Sequence, residues 1–246
     1  MLPQIRSEYR KITTIRSPWL LLAAGPVVVV AGVTGLVVSG GNVHDPASQS
    51  RALAHVGLAA VFSLIFGILA VAGEYTRGTI TDTFLSFPGR GRVIAAKLAV
   101  YGLAGAAAGL VSAGAALAIT AAWWAAKGGA IHLSAVGTWQ ILAGGVAANC
   151  AFAVIGVGVG ALVRNVAGAV ALALAWIALI EGIAGQLAGS NVARWLPFSA
   201  SEALDRSALP LATRLLPQWG GGLVLLGYAA AFAAAAVLTT LRRDVT

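Results

Sequence analysis

Apolar residues run through this chain in long unbroken blocks, not in the alternating or amphipathic stripes of a water-soluble fold. A helix needs about 20 such residues, rising 1.5 Å each, to cross a hydrocarbon core of about 30 Å. Six blocks meet that length: 19–39, 52–73, 98–124, 139–163, 166–187 and 223–241. They are rich in Ala, Leu, Val and Gly, and only the fifth contains a charge, Glu181. Membrane barrel strands are about 10 residues long and alternate apolar with polar. The pattern therefore predicts an all-α integral membrane protein, residues 1–246 forming a single domain of six transmembrane helices.

Three segments outside the blocks carry their own patterns. In 1–17, Leu2, Ile5, Tyr9 and Ile12 recur at spacings of three and four, with Arg6, Arg10 and Lys11 largely on other faces. That favours an amphipathic helix lying in the membrane interface over a disordered basic leader that only fixes topology, with a bend expected before Pro18. In the 74–97 loop, Ile80, Phe84 and Phe87 line one face of a short helix that Pro88 and Gly89 terminate. Arg77, Thr79, Asp82 and Thr83 supply its polar groups. A partly apolar loop of this kind suits docking against a partner, the alternative being a surface loop that packs only on its own bundle. The outer segment 188–222 contains Pro197, Pro210 and Pro217 between Trp195 and Trp219, and residues from Ser201 onward suggest a short Ser-capped helix. Both a translocation lid and a passive interfacial cap fit that segment.

Charge decides the orientation. Of 16 Lys and Arg residues, 11 fall in the N-terminal segment, the 74–97 loop, Arg164 and the C-terminal end, which places those segments and both termini in the cytoplasm by the positive-inside rule. The five others, Arg51, Lys127, Arg194, Arg206 and Arg214, lie in outer loops. The net charge of +8 thus belongs to membrane topology, not to nucleic-acid binding. A mean hydropathy of +0.88 makes lipid part of the solvent, and a cell (plasma) membrane is the expected location. The first block, at 21 residues, is too long for the core of a cleaved signal peptide.

Candidate chemistry within the chain is sparse. The single Cys, Cys150, forms no internal disulfide, and three scattered His show no metal-binding spacing. No Lys follows the pattern G-x-x-x-x-G-K-[ST] that cradles nucleotide phosphates. The chain is read as a non-catalytic subunit, with no cofactor of its own. Glu181 sits about 9 Å from the outer end of its block, at six residues of 1.5 Å rise. Proton relay and substrate contact are open to it, as is the favoured structural role, a carboxylate hydrogen-bonded to Gln186, the outer loop or another helix. His55 and Asn149 complete a possible intramembrane polar site and read better as helix-packing hydrogen bonders. Gly105, Gly109 and Ala113, and Gly156 with Gly160, recur every four residues. Packing within the chain is favoured over a dimer face for these stripes.

Three stretches together resemble the membrane-spanning permease subunits of ABC transporters of the type-2 exporter class. The leader Ser7-Glu8-Tyr9-Arg10-Lys11-Ile12-Thr13-Thr14-Ile15-Arg16-Ser17 is similar to the family's elbow helix. Glu74-Tyr75-Thr76-Arg77-Gly78-Thr79, followed by Leu85, Pro88, Arg92 and Lys97, resembles the first inner loop, and Leu241-Arg242-Arg243-Asp244-Val245 the usual ending. The order of spans matches along essentially the whole chain. The resemblance implies a subunit that pairs with a second permease, identical or related, and with two copies of a separate cytosolic ATPase that binds ATP and Mg. The 74–97 loop would hold a coupling helix seated in that ATPase. On this reading Glu74, Arg77 and Thr79 make polar contacts at the partner's groove, Gly78 allows close backbone approach, and Phe84 and Phe87 are the apolar anchors. The cargo is not identified.

Two other readings remain at this stage. One is a non-transporting scaffold or immunity protein that uses the same loop only for binding. The other is an intramembrane enzyme built on Glu181 with His55 or Asn149.

Overall fold

A computed structural model describes residues 1–14, 16–134, 136–187, 189–206 and 215–242. Pro210, Arg214 and the Arg243-Asp244-Val245 ending lie outside the described residues. Every element among them is helical. In chain order these are α1 (Leu2–Thr14), α2 (Arg16–Val38), α3 (Pro46–Ala54), a 3-10 turn (His55–Ala59), α4 (Ala60–Thr76), α5 (Ile80–Ser86), α6 (Arg90–Ala126) and α7 (Val136–Val163). There follow α8 (Val166–Ala175), a π turn (Trp176–Glu181), α9 (Gly182–Leu187), α10 (Ser190–Ala193), α11 (Pro197–Asp205) and α12 (Gln218–Arg242).

Five stretches are long and apolar enough to cross a bilayer: Pro18–Val38, Ala47–Thr76, Arg90–Ala126, Gly137–Val163 and Gln218–Thr240. Their outer surfaces are apolar, with Leu20, Leu103 and Leu226 exposed, as expected where the surrounding solvent is lipid. The expected span 166–187 differs. It is helical throughout, as α8, the π turn and α9, but its apolar stretch runs only Val166–Glu181. α6 is longer than expected: its 37 residues extend to about 55 Å at 1.5 Å per residue, well beyond a hydrocarbon core.

α7 is the centre of the bundle, with α4, α6 and α12 packed around it. Small residues make the close crossings possible. A Cβ on Gly67 would collide with the Ala153 carbonyl of α7, and one on Gly156 with the Leu64 carbonyl of α4. Gly105 and Gly109 of α6 likewise press on the backbone of Asn149 and Val146. Both small-residue stripes therefore pack within the chain, where the missing side chains let backbones approach.

The two ends of the described chain meet at one end of the bundle. Ile5 and Ile12 of α1 share an apolar cluster with Ala236 and Val237 of α12. The amphipathic helix expected at 1–17 is present as α1, but its inward face is not the expected stripe. Ile12 and Glu8 are buried, whereas Leu2 and Tyr9 are exposed. At the opposite end, the short outer helix starts at Pro197, not near Ser201, because Pro at the first helical position fixes the entry. Ser201 is inside it and buried.

Candidate functional site

The 74–97 loop leaves α4 through a helix-ending motif that its sequence dictates. Gly78 adopts φ +69°, its N–H donates to the Tyr75 carbonyl, and the Thr79 N–H donates to the Glu74 carbonyl. That pair of bonds is the Schellman arrangement, which needs a left-handed residue after the helix cap and is easiest with glycine. A side chain at Gly78 would meet open space. Within the chain, the turn alone accounts for the glycine.

α5 follows directly and is held down by its apolar face. Ile80 and Phe84 are buried against Val93 of α6, with Tyr75 and Phe87 around them, and the Arg90 guanidinium lies 5.5 Å from the Phe84 ring centre. Phe84 and Phe87 therefore fasten the loop to its own bundle. On a helix of only seven residues, about two turns, the apolar face is used against its own bundle; Phe87 remains half-buried at its end. The opposite face is open. Arg77, Thr79, Thr81, Asp82 and Leu85 are exposed, and Leu85 is 76% so.

Behind α5 lies a group of four charges, three of them buried and Lys11 half-buried, that no single stretch of sequence announces. Lys97 of α6 is fully buried, and its Nζ donates to Glu8 Oε2 at 2.8 Å, Glu74 Oε1 at 2.7 Å and the Ala70 carbonyl at 2.9 Å. Lys11 Nζ donates to Glu8 Oε1 at 2.8 Å and to Glu74 Oε1 at 2.6 Å. Two ammonium and two carboxylate groups cancel in charge. All three protons of Lys97 are donated, which is what makes a buried ammonium tolerable. The quartet ties α1, the end of α4 and the start of α6 into one body, directly beneath α5. Thr83 of α5 adds a long contact to Glu74 Oε2 at 3.4 Å.

Glu74 is consequently not free for a partner's groove, as the sequence reading assigned it, because its carboxylate is bonded within the chain. Of the expected contacts, Arg77 and Thr79 remain exposed. For Lys11, burial lowers the ammonium pKa, but the Glu8 charge and the hydrogen bonds to Glu74 and Glu8 outweigh that and hold it above its ordinary value.

The expected polar site of Glu181, His55 and Asn149 does not assemble, since each side chain bonds elsewhere. Glu181 is fully buried at the end of the π turn. It accepts the N–H groups of Phe198 at 2.9 Å and Ser199 at 3.0 Å, and the Trp176 indole N–H at 3.3 Å. Those two amides open α11, whose own cap position, Leu196, has no side-chain acceptor. A carboxylate from another helix therefore caps α11, where the helix dipole also favours it. The outer-loop partner, not Gln186, satisfies Glu181. Asn149 accepts from the Ser63 hydroxyl at 2.7 Å and donates to the Gly145 carbonyl at 2.8 Å, joining α4 to α7. His55 Nδ1 lies 2.9 Å from the Arg51 carbonyl, which only accepts, so that nitrogen carries the proton. Its ring packs over Gly32 of α2.

Below the Glu181 cap, an apolar cavity of about 250 Å³ lies between α4, α7, α8 and α12. Trp176 and Phe198, two of the groups bonded to Glu181, line its upper wall.

The chain matches no model of a known protein family and no curated protein. Each of the four charges looks ordinary alone in the sequence. One signal was present: Glu8 stands between Ile5 and Ile12 at helical spacing, in the middle of the apolar stripe, with Lys11 one turn on.

Proposed function

We propose that the chain is the membrane permease subunit of an ATP-driven ABC exporter, with α5 as the helix that receives force from a separate ATPase. The reading keeps six crossings, counting 166–187 as the fifth, with both termini on the cytoplasmic side. An even number of crossings follows if α1 and the end of α12 share one face of the membrane, and their common apolar cluster supports that. The working unit would contain a second permease, identical or related, and two ATPase copies.

The observation that carries the proposal is the division of α5 into two faces. Ile80 and Phe84 fix it to the bundle, while Asp82 and Leu85 face outward, beside the exposed Arg77 that precedes the helix. A push on such a helix would not be lost in loop flexibility. It would pass through Val93 to α6 and, through the quartet, to α1 and α4. ATP and Mg are assigned to the partner, because the chain has no phosphate loop of its own.

The deciding experiment is a search of the neighbouring reading frames for an ATPase with a Walker-type phosphate loop, then co-purification with it and ATPase assays in liposomes. Finding no such partner would count against the proposal. The permease should bind that ATPase and change its turnover, and Leu85→Asp should abolish the change while the protein still inserts. Normal coupling in Leu85→Asp would remove α5 from the mechanism.

A further inference from the structure

We propose that the outward side of α1 holds the phosphate of an anionic phospholipid between Arg6 and Arg10. A cleft of about 610 Å³ runs along α1 and ends at Phe87, just after α5. Arg6 and Arg10 are one helical turn apart and both line it, with Ser7 between them. Lys11 also reaches the cleft, but Glu8 and Glu74 already neutralise it. Neither Arg6 nor Arg10 has a hydrogen-bonded or ionic side-chain partner among the described residues. The quartet thus fixes the rotation of α1 so that its two uncompensated cations point the same way.

The chemistry favours an amphiphile over a free anion. Guanidinium groups match phosphate oxygens through paired N–H donors. Leu2 and Pro3 give the cleft an apolar wall and Phe87 an apolar end, beside Ser7, Lys11 and Thr14; that apolar part suits the glycerol and first methylenes of a lipid. Tyr9, on the same helix, is 62% exposed. The membrane reading puts α1 at the bilayer surface, because the apolar stretch Pro18–Val38 follows it almost directly. A lipid seated there would touch the segment that connects α5 to α6. The inference depends on the membrane reading and not on transport, so it survives failure of the exporter proposal.

The test uses the full-length protein in detergent, titrated with phosphatidylglycerol or phosphatidylcholine of the same chain length, with bound lipid counted by native mass spectrometry. Wild type should prefer phosphatidylglycerol. Arg6→Gln with Arg10→Gln should weaken that lipid roughly thirtyfold, about fivefold per basic group near an anionic surface, and leave phosphatidylcholine unchanged. Arg77→Gln with Arg92→Gln, equal in charge change, should bind like wild type, and inorganic phosphate should not displace the lipid. Equal weakening by both pairs would reduce the site to diffuse charge and overturn it. Displacement by phosphate would overturn the lipid assignment. Unchanged binding in the Arg6 and Arg10 variant, with loss of ATPase co-purification, would give the surface to a protein partner instead.

Discussion

Lys97 and Glu74 stand 23 positions apart in sequence and meet at 2.7 Å at the junction of α6 with α4, with Lys97 fully buried. Neither is stable there alone. Lys97 also needs Glu8, and Glu74 also needs Lys11, so the N-terminal helix is a structural part of the bundle and not an appendage.

Removing one member should therefore cost far more than removing a surface charge. Lys97→Met leaves two buried carboxylates facing one ammonium, and a loss of about 3–5 kcal/mol is expected for breaking such a buried group. Thermal melting in detergent would measure it. Adding Glu8→Gln should recover part of the loss by restoring charge balance, and a further drop in the double variant would contradict the network.

The quartet also sets a direction for pH. Lys11 is held above its ordinary value of 10.5. Its contribution to docking α1 is then complete below that value and is lost as pH rises through the higher folded value. A fluorophore on Tyr9→Cys in a Cys150→Ser background would report release of α1. An alkaline release step is expected, and Lys11→Met should lack it.

Glu181 acts as a cap, so the chemistry of its replacement matters more than its charge. Glu181→Leu leaves two opening amides of α11 without an acceptor and should cost about 0.5–2 kcal/mol, seen as faster hydrogen exchange over Pro197–Asp205. Glu181→Gln retains one acceptor oxygen and should lose less. A Gln variant that is stable yet inactive would point back to proton chemistry.

The loop variants separate fold from coupling. Phe84→Asp places a charge in the Ile80 and Val93 cluster and should destabilise the loop, whereas Leu85→Asp changes only an exposed face. Gly78→Asp is a poor probe of docking, because it forces a left-handed backbone on a residue with a Cβ, costing about 1–2 kcal/mol. Melting and limited proteolysis should show intact Leu85→Asp protein beside weakened Phe84→Asp and Gly78→Asp proteins.

The α4 and α7 crossing gives a packing test. Gly156→Val would drive a branched side chain into the Leu64 carbonyl and the Gly67 backbone. Overpacking of this sort costs about 1–3 kcal/mol. A melting temperature unchanged from wild type would mean the helices are not in contact there.

The sequence by itself determined the class and the outline: unbroken apolar blocks admit only buried or membrane helices, because hydrocarbon leaves every backbone group to be satisfied within the segment. It also placed α5, since a helix-length apolar stripe ended by Pro88 and Gly89 is a local signal. What α5 does with that stripe was decided only by the tertiary structure. Whether Phe84 turns to a partner or to Val93, and whether Glu74 meets solvent or Lys97, depends on which elements arrive beside them. The same holds for Glu181, whose partners lie 17 and 18 residues away on a helix whose start at Pro197 had not been read. Periodicity records the solvent each helix face meets; it does not record which charge from elsewhere will come to rest against it.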